Sequence, residues 1–414
     1  FDFGSNPGAG GLPGRVVYAG NQWGPASAGV RYPETPFNGA IAPRIGLAYR
    51  VGDATVLRAG YGMFYTQAFY PGWGGGMSLD GFNPQVGFNS SLGGYEPAFY
   101  MDAGFPAYNK ASNITTSADN GTNGPQYRPK YGNHLSYTQQ WNMTVEHKFG
   151  KGVASLAYVG NKGTHLPSQL QPLNVLNPTL LAMGNKLNAV FTPGETSLYG
   201  VNAPYANWAE TLNNGSCAPT VAQALVPFPQ FCGGLTGVNE NEGNSIYNSL
   251  QASYQKQFSN GIFFSANYTF SKLMTDASST TQSTAGYGGI GSVINPFQGS
   301  RNRALSPDDI PHTVSILGVY DLPVGAGKRF LNHTGFIDHV LGGWTLSTSM
   351  KFTSGMPLYF RDSAVCGLPS QFQAACIPAI TGSNVLAQSW GSLNVNRPAF
   401  NVGAFEPASN FNGF

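Results

Sequence analysis

Three things are scarce in this 414-residue chain: charge, long apolar runs and cysteine. Lys, Arg, Asp and Glu together make up 10% of it, against about 25% in soluble globular domains. Such a chain is poorly suited to a charged aqueous surface. Its net charge is +2 and its basic residues are scattered. With no basic stripe to neutralise phosphates, the sequence argues against a nucleic-acid partner. No apolar run reaches about 18 residues, which argues against a transmembrane helix. Membrane strands stay open, because their hydropathy signal is far weaker. No signal peptide is visible at Phe1, and "FDFGSNPGAG" reads as a start in mid-protein.

The four cysteines form two local pairs, Cys217/Cys232 and Cys366/Cys376, with no CxxC and no adjacent His. Both pairs fall in segments that read as loops. The spacing predicts two loop-closing disulfides and an oxidising compartment; free buried thiols are the alternative.

What the chain does have is glycine (55), aromatics (13%) and neutral polar residues in period-two alternation. In "RIGLAYRV" (44–51), Ile45, Leu47, Tyr49 and Val51 share one parity. After a Gly-Asp break, Leu57, Ala59, Tyr61, Met63 and Tyr65 do the same. That pattern predicts a hairpin of two half-exposed strands. The unit recurs. "LSYTQQWNMTVEHKFG" turns through "GKG" into "VASLAYVG", and "YNSLQASYQKQF" turns through "SNG" into "IFFSANYTFS". "HTVSILGVYDLP" and "WTLSTSMKFTSG" pair across a longer turn, Val324–Gly343, less cleanly because Leu317 and Val319 fall on the polar parity.

The connections alternate strictly. Short turns sit at Gly52, Lys151 and Asn260, while 67–132, 163–244, 273–310 and 355–414 are long and rich in Gly, Asn and Pro. A soluble sandwich has no reason to put every long loop at one end; a membrane barrel does. The fold class read here is all-β: an antiparallel up-and-down transmembrane β-barrel segment of about eight strands. Its short turns are periplasmic and its long loops extracellular. The apolar parity then meets outer-membrane lipid. An Arg in mid-bilayer on that side costs about 2–4 kcal/mol, so Arg44, Arg50 and Arg58 belong to the lumen with Gln140, Asn142, Glu146 and Lys148. His147 and Lys256 break the rule near short turns, where a long or polar side chain reaches the interface. Tyr49, Phe149, Phe258, Tyr320 and Trp344 read as one aromatic girdle, and Tyr65, Tyr137, Phe270 and Phe352 as the other. "NPTLLAMGNKLNAV" reads as a loop helix capped by Asn177.

Several stretches resemble the barrel of Oar-like TonB-dependent outer-membrane proteins. They are "APRIGLAYRVGDATVLRAGYGMFY", "ALVPFPQF", "GNSIYNSLQASY", "NYTFSKLMTDAS", "RNRALSPDDIPHTVSILGVYDLPVGAGKRF", "GGWTLSTSMKFTSGMPL" and "RPAFNVGAFEPASNFNGF". Their order and spacing carry the resemblance from about residue 40 onward. It implies residence in the outer membrane of a diderm bacterium, a plug domain, TonB as partner, and uptake or movement of a large, unidentified substrate. The sequence shows no TonB box, plug or regulatory domain. Residues 1–414 read as a single barrel domain truncated at both ends, where plugged relatives use about 22 strands. Two other readings stay open: a non-transporting surface or adhesion barrel, and a soluble secreted all-β glycan-binding protein.

Chemistry is thin. "GYGGIG" (286–291) matches a dinucleotide pattern but lacks the flanking strand and helix. The six histidines are dispersed, Asp308 and Asp309 read as solvated or capping carboxylates, and no catalytic constellation stands out. The chain is read as a non-enzyme without cofactor or metal. Tyr70, Trp73, Phe82, Tyr95, Phe99 and Tyr100 in the first long loop are candidates for stacking on a ligand, with loop packing as the alternative.

Overall fold

The computed structural model describes residues 1–31, 37–65, 88–90, 93–107, 114–125, 127, 134–166, 173–233, 235, 241–259, 261–277, 297–332, 335–358, 379–382, 384–389, 392 and 394–406. Its frame is an antiparallel meander of eight strands. These are β1 (Arg44–Val51), β2 (Thr55–Tyr65), β3 (Tyr137–Phe149), β4 (Gly152–Leu166), β5 (Gly243–Ser259), β6 (Ile262–Thr275), β7 (His312–Asp321) and β8 (Thr345–Thr353). Each strand pairs with its successor, and the short strand Ala304–Leu305 extends the far end of β6. The tight turns use Gly52, Gly150 and Gly261 at φ 65°, 57° and 76°. This left-handed conformation is open to glycine at no steric cost and matches the twist of the flanking strands. Every long connection leaves from the opposite end of the sheet.

Register shows how the strands lie. One row of opposed residues runs Tyr49–Leu57–Val145–Leu156–Ala252–Tyr268–Val314–Phe352. Tyr49 is near the turn end of β1, yet Phe352 is near the loop end of β8. The row therefore climbs from one rim to the other. Seven strand steps of about 4.8 Å at a tilt of about 40° give a climb of about 22 Å, the stagger of a barrel wall.

The sheet has no core of its own. No apolar side chain described in the eight strands is buried, and Ile45, Leu47, Met143 and Leu346 are all more than half exposed. The bulky residues of the apolar face instead shield glycine. A Cβ on Gly160 would collide with the Trp141 indole, and one on Gly152 would lie 2.6 Å from the Tyr254 hydroxyl. Large rings thus lie over positions that have no side chain.

Several strands run further than alternation predicts. β4 continues past Gly160 to Leu166, and β6 past Ser271 to Thr275. Asn161, Lys162 and Lys272 occupy these extensions, so the backbone ladder outlasts the apolar pattern. His165 (φ 55°) sits in the register shift between Gly163 and Leu166 and obscures the period further. The expected helix at 177–190 is instead a 3₁₀ stretch, Pro178–Asn188, broken at Gly184 (φ 57°). Asn177 does cap it, accepting from the Thr179 N–H. The β7–β8 connection carries a short helix, Phe336–Leu341, rather than a plain turn.

The buried apolar residues lie in the loops. Residues 1–27, 114–125, 127, 173–233 and 235 gather into a body at the long-loop end. Its main cluster holds Val175, Leu176, Leu187, Phe191, Trp208, Leu212 and Val221. Satellites form around Phe228 and Phe231, and around Val16 and Tyr18. Its existence was not foreseen from the sequence.

Gly160→Val is expected to destabilise the folded protein by about 1–3 kcal/mol, read as a lower urea midpoint in detergent. The loss should largely vanish when Trp141 is also Ala. An equal loss with and without the indole would contradict the ring-over-glycine account.

Candidate functional site

The two faces of the sheet differ in kind. Arg44, Arg50, Arg58, Gln140, Asn142, Glu146 and Lys148 all fall on one of them, since Arg44 aligns with Gly62 and Gln140, and Gly60 with Asn142. Arg58 reaches Glu146 at 3.2 Å, with side chains 57% and 33% exposed. Arg44 lies over the Phe64 ring, 4.6 Å from its centroid. Arg50 turns back to Asp53 at 3.0 Å and closes the first hairpin. Further along, Ser155 and Ser253 hydroxyls meet at 2.7 Å, and Thr345 donates to Asp321 at 2.8 Å. Leu317, aligned with Ser265 and Ser349, is on this polar face as expected.

The other face is apolar and carries no carboxylate among its described strand residues. His147, the first exception to parity, shares a 2.8 Å hydrogen bond with Thr55. The second, Lys256, lies opposite Gly152 and Phe264. Lys162 and Lys272 also belong to this face, at its long-loop end. The ten residue steps of β4 from Gly152 to Lys162 rise about 26 Å at about 3.4 Å each and a tilt of about 40°, close to the roughly 25 Å apolar band of an outer-membrane barrel.

At the long-loop end, Tyr65 and Tyr137 rings pack 5.4 Å apart, with Phe37, His134 and His165 around them. Here folding unites two histidines that look dispersed in the sequence. His134 and His165 centroids are 5.2 Å apart, and His165 Nδ1 donates to the Asn241 carbonyl at 3.0 Å. Among the described residues no three potential ligands gather around a metal position. Asp309 is buried rather than solvated, and accepts from the Leu273 N–H of β6 at 2.7 Å.

The loop body is organised by buried amides. The segment Val226–Cys232 contains two prolines, which lack an N–H to offer. Side chains collect its carbonyls instead. Asn174 donates to Phe228, Phe231 and Gly233 and accepts from the Phe228 N–H. Gln223 donates to Pro229 and Phe231, and the Trp208 indole to Pro229. Gln230 donates to the Pro13 and Gly14 carbonyls, joining this hub to the short strand Pro13–Arg15. Cys217 and Cys232 form a disulfide within the same body. Cys366, Cys376, Tyr70, Trp73, Phe82 and the 286–291 glycine run lie outside the described residues. Of the other candidate aromatics, Tyr95 and Tyr100 are exposed, whereas Phe99 packs with Phe88 and Phe105.

A tilted, staggered, coreless meander with apolar residues outside and all long loops at one end is the wall of a membrane β-barrel. The chain belongs to the outer membrane beta barrel domain family, whose model matches residues 1–413. It is therefore a protein of the bacterial outer membrane, in contact with lipid. No curated protein matches the chain.

Two outcomes test the loop body. Asn174→Ala leaves a buried N–H and several carbonyls unpaired, at about 1–3 kcal/mol. Limited proteolysis is expected to cut first within 173–235 and to spare the strands. Separately, burial pushes Tyr205 up from 10.0 to about 12, with the neighbouring Thr211 side chain only partly opposing the shift. Above pH 10 the unfolded chain sheds this proton while the folded chain keeps it. Loop-body stability should fall as pH rises from 10 towards 12, and Tyr205→Phe should remove that slope without loss at pH 7.

Proposed function

We propose that this chain is part of the barrel of an outer-membrane receptor or transporter for a large substrate, such as a chelate, glycan or peptide. In this reading the apolar face meets lipid, and the polar face lines a lumen that holds a plug worked by TonB. One observation carries it. Among the described residues the sheet stays open, with β1 and β8 each paired on one side only, and the polar face keeps charged side chains such as Arg58 more than half exposed. An eight-stranded barrel closed on itself fills its interior with side chains. An open wall with an unfilled polar face fits a wider barrel with an occupant. Unpaired edges in lipid also require further strands to satisfy their backbone groups. The resemblance to Oar-like proteins points the same way. Binding and movement, not catalysis, is the proposed activity.

The well-packed loop body favours a second reading, a surface barrel that presents this body to a partner without transport. The soluble secreted reading falls with membership of an outer-membrane family.

Full-length protein assembled in the outer membrane is expected to crosslink to the periplasmic domain of TonB. Normal assembly without any crosslink would contradict the transport reading and leave the surface barrel standing.

A further inference from the structure

Within the described strands, the apolar face carries three lysines and no acid: Lys162, Lys272 and Lys256. Two of them stand at the long-loop end. Lys162 on β4 lies opposite Ile246 of β5, and Lys272 on β6 lies opposite Asn248 of β5. Lys272 is one row closer to the turns but two strands further round. With a tilt of about 40°, the stagger lifts it by about 6 Å while the row lowers it by about 5 Å, so both lysines sit at one depth. Their backbones are about 12 Å apart, a gap that two four-carbon stems close.

Asn248 stands between them. Its Oδ1 accepts from the Tyr158 hydroxyl at 2.7 Å, which leaves the amide N–H₂ as the group it can offer a ligand. Neither lysine has an ion-pair partner among the described residues, whose ion pairs are Asp2–Arg15, Arg50–Asp53 and Arg58–Glu146. Two carboxylates of nearby loops are already engaged, Asp276 by the Asn244 N–H and Asp309 by the Leu273 N–H. Two exposed ammonium groups and an amide donor, at the upper edge of an apolar band, need an anion that also has an apolar tail.

We propose that Lys162, Lys272 and Asn248 form a docking site for the phosphate headgroup of an outer-leaflet lipid. The acyl chains lie along Leu250, Tyr158 and Phe270, one row below. The lysines snorkel, with stems on the apolar surface and charges at headgroup depth. The proposal rests on the reading that this face meets lipid.

The test is native mass spectrometry of the detergent-solubilised protein, titrated with phosphatidylglycerol, phosphatidylcholine or inorganic phosphate. Wild-type protein should bind phosphatidylglycerol about tenfold or more tightly than Lys162→Gln/Lys272→Gln. Asn248→Leu should fall between the two, and Lys256→Gln should match wild type. Equal binding by wild type and the double variant overturns the proposal, as does equal affinity for phosphatidylcholine. Inorganic phosphate binding as tightly as phosphatidylglycerol identifies a free-phosphate site and overturns the lipid assignment. Fluorescence quenching by brominated lipid, compared between wild type and Trp141→Phe, tests the underlying reading separately. Trp141 shares this face, so loss of the Trp141-dependent quenching shows that the lipid-face reading failed. Retained quenching with unchanged lipid binding shows that the headgroup site alone failed.

Discussion

In hydrocarbon there is no water to accept an unpaired N–H, so a membrane strand satisfies its backbone entirely through its neighbours. That constraint orders everything else here. It accounts for a strictly sequential meander in which each strand is next to the one that follows it. It also removes the usual reason for a core. With the backbone satisfied laterally, apolar side chains need no inner partner, and they stand exposed on one face. Trp141 over Gly160 and Tyr254 over Gly152 are packing within that face, not burial beneath it.

Folding energy of the more familiar kind is concentrated outside the sheet. The loop body buries Trp208, Phe191, Phe231 and Leu212 nearly completely. It is held by amide side chains where proline leaves the chain short of donors, and by one disulfide. The molecule therefore joins two solutions to two solvents. The strands use lipid as their apolar environment, and the loops, in water, make their own. The join falls at the Tyr65–Tyr137 pair and the His134–His165 contact.

Fold and orientation were legible because period two is a local signal. Arg44, Arg58 and Glu146 on one parity, with Leu57, Met143 and Leu250 on the other, follow from residue order alone, and the register agrees. The hairpin turns were legible for the same reason, through Gly52, Gly150 and Gly261. Strand ends were less so, because Asn161, Lys162 and Lys272 lie where the ladder leaves the apolar band and alternation has no physical cause. The loop body was illegible. Its core joins residues more than 200 positions apart, such as Gln230 and Pro13, and "ALVPFPQF" shows no periodicity of its own. The stagger was also hidden, since depth depends on strand number as well as on position along a strand.

The central claim is that alternate residues of one strand meet different surroundings. Nitroxide labels on introduced cysteines along β5, from Leu250→Cys to Tyr254→Cys in bilayers, measure it directly. Collision with dissolved oxygen should peak at 250, 252 and 254, and collision with a polar nickel chelate should peak at 251 and 253. A flat profile, or the opposite phase, would contradict the account.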